Sequence, residues 1–364
     1  MLQDFRQHII RSVCSRAFRR SAATPLAFVI GLSAWKNFIN DWFQGQPLKR
    51  YGRNISLVRF YSTVAPRILA NPQSKVYVWA FKHPKFVENF CKRWNVPLVR
   101  VEDGFIRSVA LGATRAPPLS LCFDSSSLYF DATRASDLER IIQNFDFDAD
   151  PELLSRARRG VSSLVSSRLS KYNVSADADV NLIYGPKARK RILVLGQVED
   201  DASIAKGCEK PITNNDLVRI AVQENPDAQV IYKPHPEVLH GTRPAQSNPD
   251  DVRSIAMVLD QDISLSDSLN TVDHVYTITS LSGFEALLRG IHVTCIGMPF
   301  YAGWGATDDR QVCDRRTAKR SVEEIFAAAY ILYARYFDPF EHRSIVFEEA
   351  LELLATMKSK SAVA

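Results

Sequence analysis

Short, nearly unbroken apolar runs recur along the chain and alternate with segments whose apolar residues return every three or four positions. That is the rhythm of buried strands linked by amphipathic helices. Val76 to Phe81 and Pro97 to Val101 read as strands on either side of a helix from about Lys85 to Asn95, and Leu128 to Asp131 reads as a further strand. A polar, Arg- and Ser-rich helical region covers roughly 149 to 172. It runs into a linker, 175 to 191, that holds Gly185-Pro186 and a basic cluster from Lys187 to Arg191. A second series follows, with strands at Arg191 to Gly196, Ala228 to Tyr232, His274 to Thr277 and Val293 to Ile296 and helices at Asn215 to Glu224 and Ser282 to Arg289. Helices at Val322 to Tyr336 and Ile345 to Met357 complete the pattern. It predicts an α/β protein of two Rossmann-like domains facing across a cleft, with the C-terminal helices packed at the back. The expected divisions are a segment 1–50, domains 51–185 and 186–340, and a C-terminal helix 341–364.

Composition changes this picture only at the N-terminus. The chain of 364 residues is 46% hydrophobic and 24% charged, which is enough apolar material for two cores. Its net charge of +6 is carried by residues 1 to 50, where eight Lys or Arg face two Asp. The rest is balanced, which argues against a nucleic-acid partner. The uncharged run Ala22 to Trp35 is too short and too interrupted to span a bilayer, and with Pro25 and Ser33 it makes a poor signal peptide. With Phe28, Trp35, Phe38, Trp42 and Phe43, this basic and aromatic stretch reads either as a segment lying on anionic lipid or as an element packed on the domain behind it. Six scattered cysteines show neither paired spacing nor a His cluster, and a reducing cytoplasm fits them.

The candidate chemistry gathers at strand ends. Glu199-Asp200-Asp201 follows the apolar run Ile192 to Leu195, in the position where open α/β sheets bind ligands, although Asp200, Asp201 and Ser203 are also good helix N-caps. Lys233-Pro234-His235-Pro236 follows Val230 to Tyr232 and places a cation and an imidazole between φ-restricting prolines, an arrangement suited to a phosphate. From Thr277 to Leu288, hydroxyls and Gly283 fall where a strand gives way to a helix whose free N–H groups favour an anion. Glu285 in that helix either accepts hydrogen bonds from vicinal hydroxyls or stabilises the first turn. Phe300-Tyr301-Ala302-Gly303-Trp304-Gly305 is an aromatic loop able to approach a sugar or a ring.

Taken in order, Val101 to Ser108, Ala116 to Ser120, Gly196 to Ser203, Lys233 to Pro236, Thr279 to Leu288 and Pro299 to Gly305 resemble the capsule-polysaccharide β-Kdo transferases of the KpsC type, over about Val76 to Pro339. The resemblance implies a GT-B fold, with 51–185 on the acceptor side and 186–340 binding a CMP-sugar. It implies CMP-β-Kdo as donor, transfer with retention, no cofactor and no metal. It assigns Asp201 as the nucleophile, with Asp200 and Glu199 less sharply defined, and sets Glu102 and Asp103 at the acceptor or in proton transfer. His235, Ser280 and Ser282 would hold the CMP phosphate and Glu285 the ribose, with Ser203 and Tyr301 beside the donor. Arg107 and Lys233 would meet the sugar carboxylate. Such proteins often carry two modules in tandem, and this chain carries one, so a single linkage type is expected. The implied setting is the cytoplasmic face of the membrane, with a saccharide or lipid-linked saccharide as acceptor. The competing reading is a non-catalytic polysaccharide-binding or export-associated module on the same fold.

Overall fold

A computed structural model describes residues 25–109, 116–171, 173, 178–243 and 246–363, together with residues 10 and 12. Among the described residues, thirteen strands form two sheets. The first contains β1 (Ala27–Leu32), β2 (Leu48–Gly52), β3 (Lys75–Trp79), β4 (Leu98–Asp103) and β5 (Ser120–Asp124). The second contains β6 (Arg191–Leu195), β7 (Gln229–Lys233), β8 (Met257–Val258), β9 (His274–Thr277), β10 (His292–Cys295) and β11 (Asp308–Asp309). The chain then returns to the first sheet with β12 (Ala334–Asp338) and β13 (Arg343–Ile345).

The second sheet runs β11-β10-β9-β6-β7-β8 and is parallel throughout. Counted from its own first strand this is the order 3-2-1-4-5-6, whose reversal lies between β6 and β9. Every residue of β6 is buried, as a strand covered on both faces requires. The helix Asn214–Glu224 that links β6 to β7 starts in a reciprocal capping box between Thr213 and Asp216.

The first sheet runs β13-β12-β5-β4-β3-β1-β2. The pairs among β1 to β4 are parallel, whereas β5, β12 and β13 join antiparallel. Its helix Lys85–Trp94 stops where Asn95 turns left-handed at φ 49. An aromatic cluster joins the two halves: Phe105, after β4, lies 5.1 Å from Phe300 and 5.0 Å from Tyr330 between ring centroids, and Phe300 lies 5.3 Å from Phe284.

The architecture departs from the sequence pattern in three places. Residues 27–52 are no surface segment: β1 is wholly buried, and Phe28, Ile39 and Phe43 are core. The basic residues from 1 to 24, Arg6, Arg11, Arg16, Arg19 and Arg20, lie outside the described residues. Leu128 to Asp131 forms a turn rather than a strand, closed by the Asp131 N–H donating to the Leu128 carbonyl at 2.8 Å, and it is approached through Ser126 and Ser127, whose N–H groups donate to Asp124 Oδ1 (both 2.8 Å). The helical run at Val322–Phe326 widens into a π-helix, Ala327–Tyr333, and then becomes β12. Residues 334–345 therefore belong to the first sheet. The last helix, Phe347–Val363, is tied to the helix Pro151–Ser166 by a two-bond ion pair, Arg156 Nε and Nη2 donating to Glu348 at 2.7 and 2.8 Å.

Candidate active site

The carboxyl ends of β4, β6, β7 and β9 open on one cleft of about 760 Å³ lined from both sheets. Eleven of the thirteen residues singled out in the sequence line it: Glu102, Asp103, Arg107, Asp200, Asp201, Ser203, Lys233, His235, Ser280, Ser282 and Glu285.

Of the three acids after β6, only two face the cleft. Asp201 is exposed and caps the helix Ala202–Gly207, one carboxylate oxygen accepting Ser203 N–H at 2.8 Å. Its other oxygen makes no hydrogen bond among the described residues. Asp200 pairs with Arg243. Glu199 points inward, which corrects its reading as a catalytic acid. It accepts from Asn214 N–H (2.6 Å), Gln246 and Ser247 N–H (both 2.8 Å) and Ser247 Oγ (2.6 Å), and so binds three loops together. A carboxylate with that many donors is structural.

His235 caps the helix Pro236–Leu239, with Nδ1 accepting Glu237 N–H at 3.2 Å. A neutral ring that accepts at Nδ1 carries its proton on Nε2, which leaves Nε2–H to donate. Burial pushes its pKa down to about 4 against the pull of the Asp201 carboxylate, so the ring is neutral near pH 7. Lys233 lies in the wall with Nζ donating to the Ile263 carbonyl at 2.6 Å and 3.8 Å from Asp262, and is already engaged within the protein.

After β9, Ser280 caps the helix Leu281–Leu287, its Oγ accepting Ser282 N–H at 3.2 Å. Tyr301 is fully buried and does not reach the cleft, which corrects its placement beside the donor. Its hydroxyl donates to the Ser280 carbonyl from beneath. Gly283 permits that contact, since a Cβ there would stand 2.3 Å from the Tyr301 hydroxyl oxygen. Ser203, Thr279 and Gln197 form a network that holds the β6 and β9 loops together, with Gln197 Oε1 accepting Thr279 N–H at 2.7 Å and Thr279 Oγ1 donating to Ser203 Oγ at 3.2 Å. Glu285 is buried, with one oxygen accepting Lys171 N–H at 3.3 Å and the other without a hydrogen-bond partner among the described residues. Burial raises its pKa to about 7.

On the opposite wall, burial and the neighbouring Asp103 raise Glu102 to about 7. Arg107 is fully buried, Nε donating to Asp103 at 2.8 Å and Nη1 to Ser108 Oγ at 2.9 Å. Its guanidinium thus braces Asp103 in the cleft wall. The sequence reading missed Trp35, Lys36, Trp79 and Lys82, which line this same wall.

Residues 162–336 match the model of a family described as "Capsule polysaccharide biosynthesis protein". The chain is 45% identical over 336 residues to the lipopolysaccharide-processing protein LpsZ of Rhizobium meliloti, covering 92% of this chain and 75% of LpsZ. It is 37% identical over 335 residues to the capsule polysaccharide modification protein LipA of Neisseria meningitidis serogroup A, and spans 46% of LipA. The KpsC β Kdo 2,4 transferase structure of Thermosulfurimonas dismutans superposes with a TM-score of 0.77 at 31% identity, over 92% of this chain and 98% of that one. The β Kdo 2,7 transferase structure of the same organism gives 0.69 at 32%, over 92% and 99%. Matches of this reach take in residues of the first 50, which the resemblance from Val76 onward had left outside.

Proposed function

The chain belongs to the capsule polysaccharide biosynthesis family, and we propose that it is a retaining glycosyltransferase that moves Kdo from CMP-β-Kdo to a saccharide acceptor. The observation that carries this reading is the meeting, in one cleft, of an exposed carboxylate, Asp201, and a neutral imidazole, His235, with two acids of the facing domain.

The residues support a double displacement. Asp201 attacks the anomeric carbon of the donor, the bond to the CMP oxygen breaks, and a glycosyl ester forms on the carboxylate. His235 Nε2–H donates to the departing phosphate, with the hydroxyls of Ser280 and Ser282 alongside. Glu102, poised to exchange a proton near neutral pH, takes the proton of the acceptor hydroxyl. That oxygen then attacks from the face CMP has left, breaks the ester and frees Asp201, and two inversions give net retention. The unpartnered oxygen of Glu285 suits a ribose hydroxyl.

The nucleotide is tested by thermal shift. CMP is expected to raise the Tm and UDP to leave it unchanged, because a ligand bound only by the folded state stabilises it. His235→Ala is expected to reduce the CMP shift to less than half. A UDP shift equal to that of CMP would contradict the assignment of the donor.

A further inference from the structure

The chemistry proposed above is divided between the two sheets. Asp201, His235, Ser280 and Ser282, which part the sugar from CMP, follow strands of the second sheet, whereas Glu102, which takes the acceptor's proton, lies at the carboxyl end of β4 in the first. Release of CMP therefore draws on one half of the molecule. Transfer to the acceptor needs Asp201 and Glu102 at a fixed separation. The helix Ala202–Gly207 that Asp201 caps is fastened within its own half: Ser203 bonds Thr279, Ile204 is buried in the core, and the Gly207 carbonyl accepts Met298 N–H at 2.8 Å. From the last turn of that helix, Lys206 reaches the other half.

Lys206 Nζ lies 3.4 Å from Asp131 Oδ2 and 4.1 Å from the centroid of the Phe81 ring. The first half builds this seat from its own residues. The Asp131 side chain is fully buried, with Ser127 Oγ donating to Oδ2 at 2.9 Å and Thr133 donating to Oδ1 through its N–H at 3.1 Å and its hydroxyl at 2.5 Å. Phe81 packs edge-on against Phe130 at 6.0 Å, and the Arg100 guanidinium lies 4.7 Å from its centroid. A buried carboxylate is costly unless its charge is met, and a ring face draws a cation to the same spot. Both therefore hold the ammonium that the second half supplies. Neither Lys206 nor Asp131 is among the residues lining the cleft, although Ala80 and Phe130 beside them are.

We propose that Lys206 is a positioning residue: by clasping Asp131 and Phe81 it fixes the first sheet against the helix of Asp201 and sets the separation of nucleophile and base for the second displacement. In that step the acceptor hydroxyl gives its proton to Glu102 and its oxygen bonds to the anomeric carbon. The ester bond to Asp201 breaks, and its electron pair returns to the carboxylate. A misplacement of about 1 Å is enough to slow such a step about 10²-fold. The first displacement forms the ester and releases CMP with residues of the second sheet, and it proceeds without the clasp. This rests on the transferase reading above and adds a residue that acts on one of its two steps.

The test mixes the full chain with freshly generated CMP-Kdo at saturation and a Kdo-terminated saccharide, quenches in acid during turnover, and reads CMP release together with the intact mass of the protein. Lys206→Met keeps the bulk of the side chain and removes its charge. It is expected to release the first equivalent of CMP within about threefold of the wild-type rate, while the ratio of protein heavier by one Kdo residue to unmodified protein rises at least about tenfold. Lys206→Arg is expected to hold that ratio within about threefold of wild type, because it keeps the cation. Asp131→Asn is expected to raise the ratio as Lys206→Met does, and the double variant to raise it no further, since both changes open one clasp. A Lys206→Met protein with the wild-type ratio overturns the inference. So does one whose first equivalent of CMP slows as much as its turnover, because the residue would then serve the second half or its folding. If Asp131→Asn does not fold, the two Lys206 variants decide alone. If the wild-type protein releases CMP and the variants match it in both readouts, the inference falls alone; if the wild-type protein releases none, the transferase reading falls with it.

Discussion

Replacing Asp201 by Asn separates two roles that its carboxylate combines. One oxygen accepts the Ser203 N–H at 2.8 Å and caps a six-residue helix, while the other makes no hydrogen bond among the described residues. Asn caps a helix as well as Asp does, so Asp201→Asn keeps the backbone bond and is expected to change stability by less than about 0.5 kcal/mol. Asp201→Ala loses the cap at a cost of about 1 kcal/mol, which in a protein of this size lowers the Tm by no more than about 2–4 °C. Neither change charges His235 at pH 7. The Asp201 carboxylate raises that imidazole toward its present value of about 4, and removing it moves the pKa further from neutrality. CMP affinity is therefore expected to stay within about threefold in both variants, since the leaving-group contacts survive. Turnover is different, because without the carboxylate no glycosyl ester can form. The expected loss is about 10³-fold or more in kcat, on the order of 4 kcal/mol of transition-state free energy. The assay is single-turnover release of CMP from donor generated in situ, run beside thermal melts and CMP titrations of all three proteins. An Asn variant that keeps more than about a tenth of the wild-type rate while melting normally would remove Asp201 as nucleophile, because capping alone would then account for the residue.

Three further outcomes follow from the same geometry. Glu285 has a folded pKa of about 7, above its ordinary value, so the folded state holds a proton that the unfolded state has already lost over the interval from about 4.5 to 7. Its contribution to stability is full below that interval and is lost as the pH rises through it. Glu285→Gln is thus expected to stabilise the free protein at pH 8, by an amount on the order of 3 kcal/mol, and to leave its stability nearly unchanged at pH 4.5, while weakening CMP binding; melts across pH that show no such difference would refute the assignment. Glu199→Gln removes an acceptor from a carboxylate bonded to four donors and is expected to destabilise by about 3 kcal/mol in denaturant titrations, with kcat per folded molecule within about threefold of wild type. Gly283→Ala drives a methyl group into the Tyr301 hydroxyl and is expected to weaken CMP binding at least about tenfold by displacing the β9 turn, an effect that Tyr301→Phe, which removes the contact atom, should partly relieve in the double variant.

The second sheet was largely legible in the sequence because parallel strands covered on both faces leave continuous apolar runs, and the strand at His274–Thr277 falls where the pattern puts it. The first sheet was harder to read. β1 pairs with β3 some fifty residues on, Ala27 opposite Lys75, and basic residues around it masked a buried strand as a surface segment. β12 is hidden because its five residues continue the apolar character of the helix before it. Three adjacent acids after β6 look alike in one dimension, and only the loops brought by Asn214 and Ser247 show that Glu199 turns inward. Lys36 was findable in principle. Gly31, Ser33, Trp35 and Lys36 follow an apolar run as Gly196 to Ser203 follow another, but an ammonium resting on Trp79 joins residues that no local spacing connects.

Sugar transfer itself is measured by incubating the protein with CMP-Kdo generated in situ, with and without a Kdo-terminated acceptor, and following CMP release and product mass. Release of CMP is expected to depend on the acceptor, and the product to be heavier by one Kdo residue, with the new linkage in the configuration of the donor. Folded protein that binds CMP and the acceptor yet yields no such product would contradict that expectation.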